Sequence, residues 1–225
     1  MQIRSDLSRR AVVRPGEADY VPSPLPGVER LMLDRDGGEV ARATSLVRYA
    51  AGSAFSEHLH DAGEEFFVLD GVFEDEEGRY PAGTYVRNPP GSRHAPRSPE
   101  GCTLFVKLRQ FAPDDLARVV VDTRAADGRA AAWRAGLVPG LSVMPLHEHG
   151  IEHVALVRWA AGTVFRPHVH PGGEEILVLS GVFEDEHGAY PAGSWLRSPA
   201  MSRHRPFTRE GCTILVKVGH LPAPA

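Results

Sequence analysis

The chain has 225 residues, of which 42% are hydrophobic and 24% charged, with a formal net charge of −4. This is the balance of a globular fold, and it excludes a polybasic surface for nucleic acid: Lys and Arg are scattered, with Arg9-Arg10 the only adjacent pair. No apolar run approaches a membrane span, and the charged segment Met1–Arg10 lacks a secretory core, so no membrane or nucleic-acid partner and a cytoplasmic location are expected.

In chain order, the first feature is Val21–Pro26 (Val-Pro-Ser-Pro-Leu-Pro), which cannot enter a central strand because proline has no amide donor. Short β-branched and aromatic runs follow at Ser45–Tyr49, Glu65–Leu69, Thr84–Arg87 and Thr103–Leu108, punctuated by Gly and Pro. That spacing predicts an all-β sandwich or barrel. Gly71–Gly78 reads as a strand ending in an acidic hairpin loop, with Tyr80–Gly83 turning into the next strand. Two short helices are expected at Asp114–Val120 and Ala130–Ala135. The strand pattern then recurs at Val154–Trp159, Glu175–Leu179, Ser194–Arg197 and Thr213–Val218.

The recurrence is a duplication. Ala50–Leu108 aligns without a gap to Ala160–Val218 at an offset of 110 residues, and 34 of the 59 pairs are identical. A repeat this long is a domain rather than a solenoid unit, so the chain divides into domains at 1–112 and 113–225. Cys102 and Cys212 are equivalents in a strand pattern and are expected to be buried and reduced.

Each copy keeps three imidazoles and a carboxylate at fixed spacing: His58, His60, Glu64 and His94, then His168, His170, Glu174 and His204. Alternate residues on a strand face one side, so His58 and His60 point together. Glu64 enters the next strand on that same face, and His94 arrives from a separate hairpin behind a Pro-Pro-Gly turn. Four such donors suit one divalent ion per copy, either Zn, Fe, Mn or Ni. Glu65 and Glu175 have the opposite parity and are read as outward-facing or as partners that orient an imidazole. Arg87 and Arg197 suit either an anionic substrate or a solvated face. His147, His149 and His153, without counterparts in the first copy, are read as surface histidines. The runs Glu74-Asp75-Glu76 and Glu184-Asp185-Glu186 are read as solvated hairpin tips. Met201, standing where the first copy has Gly91, is expected to restrict the turn that presents His204.

Gly52-x5-His58-x-His60-x3-Glu64-x6-Gly71 and Gly83-x5-Pro89-x-Gly91-x2-His94 resemble the two motifs of the cupin superfamily, with Ser98 in place of the final Asn. In the second copy Met201 and Thr208 depart from the pattern. The resemblance implies two tandem double-stranded β-helix (jelly-roll) barrels, with the ion held inside by the three His and the Glu. Residues 63–96 and 173–206 are similar to the cupin half of ChrR-type anti-sigma factors, a zinc-containing sensory domain. No cysteine precedes Cys102 and no helical sigma-binding segment is evident, so anti-sigma activity is not expected.

Two functions fit. In one, Fe(II), Mn(II) or Ni(II) on the 3-His/1-carboxylate set leaves two positions for a small oxygenated substrate and dioxygen. Related cupins imply dioxygenase action on diketones or hydroxyaryl ketones. In the other, zinc is closed by four side chains in a non-catalytic, ligand-sensing module. A small-molecule ligand is the expected partner, and a homodimer is compatible with either.

Overall fold

The structure, a computed structural model, describes residues 1–125 and 132–222. The strand Glu64–Glu74 shows how the pattern becomes a barrel: Glu64, Phe66 and Val68 share one face, and Phe66 stands opposite Val86 on one neighbouring strand and Val106 on the other. Phe66, Val68, Val86 and Val106 form an apolar cluster with Phe73, Tyr80 and Leu104. Burying each large side chain is worth about 1.5–3 kcal/mol. Ile176, opposite Leu196 and Val216, repeats the arrangement around Phe183, Tyr190 and Ile214.

Both halves are all-β, with the same antiparallel strand order. In the first it runs Gln2–Ile3, Val28–Gly37, Ala41–Tyr49, Cys102–Leu108, Glu64–Glu74, Thr84–Asn88, Val119–Asp122. In the second it runs Arg134–Ala135, Leu141–His149, Glu152–Trp159, Cys212–Val218, Glu174–Asp185, Trp195–Ser198, Ala11–Val13. The long central strand of each half shifts register by one residue at a bulge, beside Thr103 and Ser180. Next to it, Gly71 (φ 71°) and Gly181 (φ 69°) lie so close to the Gly101 and Gly211 carbonyls that no Cβ would fit.

The compact units are not the two ends of the chain. One comprises Met1–Ser5 with Ala18–Ala130, the other Asp6–Glu17 with Ala131–Ala225. The strand Ala11–Val13 therefore edges the second unit, against Trp195–Ser198, while Val119–Asp122, which follows the first repeat, edges the first unit against Thr84–Asn88. A cut at residue 112 separates the sequence repeats, whereas these two arms each complete the other repeat's sheet.

The helix expected at Asp114–Val120 is absent. Val119 and Val120 belong to the arm strand, because three consecutive valines find an open sheet edge there that outweighs their weak helical preference. Of the second expected helix, residues 130 and 131 lie outside the described residues, and Arg134–Ala135 is a strand. Among the described residues no helix is long and apolar enough to cross a membrane. Cys102 and Cys212 are free and buried, and burial pushes their thiols up to about 11 and about 12.

Candidate metal centres

The strand His58–His60 pairs with Ser92–His94 so that His58 stands opposite His94, and His168–His170 pairs with Ser202–His204 in the same way. The pleat sends His58 and His60 to one side and leaves Leu59 exposed between them. Nitrogen donors of His58, His60 and His94 lie within 4.8 Å of one another, as do those of His168, His170 and His204. The Glu64 carboxylate comes to 3.5 Å from His60 Nε2 and 3.4 Å from His94 Nε2. Glu174 is 3.5 Å from both His170 Nε2 and His204 Nε2. All eight residues named from the spacing are thus brought into two groups of four.

Tautomers test whether an ion suits the cage. His58 Nδ1 sits 3.1 Å from the Ser56 carbonyl and His168 Nδ1 sits 3.0 Å from the Arg166 carbonyl, acceptors that place the proton on Nδ1. His94 Nδ1 likewise faces the Asp75 carboxylate at 3.2 Å. The Nε2 lone pairs of His58 and His94 therefore converge with a carboxylate oxygen. His60 and His94 Nε2 are only 3.0 Å apart, as are His170 and His204 Nε2. At that distance two neutral rings can share one N–H···N hydrogen bond, and where both present lone pairs a cation must lie between them; three imidazoles with a carboxylate suit a divalent transition metal in that place.

The electrostatics follow from burial and from the carboxylates behind the rings. Burial lowers the pKa of His60, and it pushes His170 down to about 3 and Glu174 up to about 7. Burial also opposes charge on His94 and His204, but the negative charge gathered around each ring outweighs it and raises both: Asp75, hydrogen-bonded to His94, together with Glu64, and in the second unit Asp185, at a longer 3.8 Å, together with Glu174. These aspartates were missed: in the sequence they sit in acidic runs that read as solvated tips. In the structure Asp75 is buried and accepts from the Tyr80 hydroxyl at 2.9 Å, and Asp185 accepts from Tyr190 at the same distance. Their neighbours are committed too, since Glu76 accepts from the Ala95 amide and Glu186 from the Arg205 amide, immediately after His94 and His204. The available signal was that both runs are repeated intact.

Other expectations change. Glu65 and Glu175 do point out of the barrel, as their parity requires, but both are buried there rather than solvated, and they pair with side chains other than the candidate imidazoles. Glu65 is buried and pairs with Arg87 at 2.5 Å, and Glu175 accepts from Trp195 Nε1 at 2.7 Å. Arg87 and Arg197, fully buried, do not face a substrate or solvent. Arg87 also pairs with Asp115, and Arg197 donates to the Asp6 and Arg9 carbonyls, fastening the arm. Opposite strand parity places all four on the outer side of the barrel wall, where the arms cover them. Ser98 and Thr208, in the motif's Asn position, each donate to a backbone carbonyl at 2.7 Å. His147 and His149 are half-buried rather than exposed, while His153 is exposed. Met201 adopts the left-handed conformation of Gly91 (φ 63° against 87°), and its amide makes the same bond, to His170 O, that Gly91 makes to His60 O. The turn is therefore preserved and not restricted.

In the first unit the donors open into a cavity of about 400 Å³, walled by apolar side chains including Val28, Phe55, Leu104, Val106 and Leu108. Arg30 and Glu39, paired at 3.1 Å, and Asp61 with Arg109 form its polar margin.

The model of a family described as the ChrR cupin-like domain matches residues 8–112 and again 118–222. No curated protein matches the sequence. Among solved structures, protein Ylba from E. coli superposes with a TM-score of 0.72 at 15% identity, over 98% of this chain and 95% of that one. The bacterial pirin YhhW from E. coli, in complex with nickel(II), gives 0.61 at 14% identity over 96% and 100%. Oxalate decarboxylase from Lactobacillus farciminis, in its formate complex, gives 0.58 at 13% over 95% and 87%. At these identities the likeness is one of fold.

Proposed function

Since the chain belongs to the ChrR cupin-like family in both of its halves, we propose that it is a divalent-metal bicupin whose first site works as an Fe(II)-type dioxygenase on small, largely apolar diketones or hydroxyaryl ketones. One observation carries the reading: the four donors of the first unit face a ligand-sized, apolar-walled cavity. Structural zinc sites are closed, whereas catalytic metal sites keep a position open to substrate.

His58, His60, Glu64 and His94 would hold the ion in the first unit, and His168, His170, Glu174 and His204 in the second. Bound iron(II) would supply Lewis acidity toward an enolised substrate and one-electron chemistry toward dioxygen. The chain's own contribution is positional. Asp75 keeps the His94 proton on Nδ1, which leaves Nε2 free to bind. Val28, Leu104 and Val106 exclude water and receive the apolar flanks of the ligand. Phe55 packs on the His58 ring at 5.9 Å and fixes its plane.

The resemblance to the cupin half of ChrR-type anti-sigma factors, matched in both halves, supports a second reading, a zinc-binding, ligand-sensing cupin without turnover. Metal analysis of protein purified without chelator, with oxygen uptake on β-diketones and hydroxyacetophenones, separates the two. Iron with oxygen consumption abolished by His58→Ala supports the enzyme. Stoichiometric zinc without turnover supports the sensor. Less than one ion per chain, unchanged by His58→Ala and His168→Ala, refutes both.

A further inference from the structure

We propose that Arg10, carried on the N-terminal arm, weakens the second metal site by competing with His204 for the Asp185 carboxylate. The inference rests on metal binding at both sites, but not on either catalytic reading.

The two units share a chain of contacts behind the last histidine, and it differs at one link. In the first unit Asp75 Oδ2 is 3.2 Å from His94 Nδ1. Asp75 Oδ1 takes the Tyr80 hydroxyl and the amides of Glu77 and Gly78. In the second unit Asp185 Oδ2 lies 3.8 Å from His204 Nδ1, beyond hydrogen-bond range. That same oxygen accepts from Arg10 Nη2 at 2.6 Å, and Arg10 also donates to the Tyr190 hydroxyl at 2.7 Å.

Arg10 has a structural counterpart. Ala11 stands opposite Arg197 on the edge of the second sheet and Val119 stands opposite Arg87 on the edge of the first, so Arg10 and Arg118 each precede the first paired residue of an arm. Arg118, however, stops at the Tyr80 hydroxyl, 3.0 Å away, and turns to Glu77 at 2.5 Å. The repeat equivalent of Glu77 is His187, which offers no carboxylate. Without that partner the arginine of the second unit moves inward onto Asp185. One substitution in a hairpin loop thus decides whether the carboxylate serves the histidine or the arm.

The consequence for the metal follows from the donor chemistry. A carboxylate bonded to the Nδ1–H of a ligating histidine fixes its tautomer and strengthens Nε2 as a donor, and loss of such a partner costs roughly 10- to 100-fold in metal affinity. A guanidinium at 2.6 Å withdraws that support by a charge-assisted bond. His204 is therefore the poorer donor and the second site the weaker one.

Zinc alone, titrated against a chromophoric chelator, tests this in the full chain with the first site disabled by His60→Ala. Arg10→Gln is expected to tighten zinc at the second site by up to roughly tenfold, and to give no gain when Asp185→Asn is also present. His187→Glu, which restores a carboxylate for the arginine and leaves the arm intact, is expected to tighten it likewise. A merely structural role for Arg10 predicts looser binding and a lower Tm. Unchanged or weaker zinc binding in both Arg10→Gln and His187→Glu overturns the inference while leaving the metal reading intact. No zinc binding at the second site in any variant overturns both.

Discussion

Replacing Asp75 by Asn in the first unit separates a tautomer effect from ordinary hydrogen-bond loss. The Tyr80 hydroxyl at 2.9 Å and the amides of Glu77 and Gly78 at 2.9 and 3.0 Å all donate to Asp75 Oδ1, so that atom must remain an acceptor. The Asn amide nitrogen then takes the place of Oδ2 and points a donor at His94 Nδ1, 3.2 Å away. Two donors cannot face each other, so His94 moves its proton to Nε2 and loses the lone pair that binds the ion. Zinc affinity at this site should fall by about 10- to 100-fold, or about 1.4–2.7 kcal/mol. Asp75→Ala removes the clash and should bind zinc better than Asp75→Asn. It leaves three donors without their acceptor, however, and should lower stability further, by about 1 kcal/mol or more. Chelator competition in a His170→Ala background, with calorimetric Tm values on the metal-free proteins, measures both orders. Zinc binding by Asp75→Asn within twofold of the parent, or tighter than by Asp75→Ala, refutes the tautomer argument.

Burial holds the Glu174 carboxyl up at about 7, so metal must displace a proton there as pH falls. Zinc affinity at the second site should drop by at least about tenfold per pH unit below about 7, the raised His204 adding to the slope, and a flat titration from pH 7.5 to 5.5 would count against it. Met201 holds φ 63° and is 60% exposed, and nothing lies within 4 Å of a Cβ built on Gly91. The left-handed strain of about 1–2 kcal/mol exceeds the entropic cost of glycine, about 0.5–1 kcal/mol, so Met201→Gly should stabilise and Gly91→Met destabilise, each by roughly 0.5–1 kcal/mol in denaturant melts. With thiols at about 11 and about 12 and both side chains buried, Cys102 and Cys212 should not react with a thiol reagent at pH 8 until the chain is unfolded. Prompt labelling of the folded protein would show a wall open at those strands.

Legibility along the chain followed the range of the interactions. Strand parity is local, so His58 and His60 could be placed on one face and Glu64 with Phe66 and Val68 on the inner face from the sequence alone. Parity also separated Glu65 from Glu64, but not what Glu65 meets, because Arg87 and Asp115 reach it from distant segments. Phe55 lines the cavity, Phe66 fills the barrel core, and Tyr85 and Phe105, of opposite parity, are buried away from the donors. The acidic runs misled because a carboxylate at a hairpin tip is ordinarily solvated, and only the fold brings His94 and Tyr80 against Asp75.

The sequence by itself determined the duplication, the all-β class and which eight side chains come together as candidate donors, since all of these are carried by spacing and period within short stretches. The tertiary structure decided the rest: which arm edges which sheet, what stands behind each histidine, and which side chains Asp75 and Asp185 take as partners. Those outcomes depend on contacts between residues as far apart as Arg10 and Asp185. No local pattern encodes such a pairing; it arises when an unpaired sheet edge takes up an arm and places its arginine beside a buried acid.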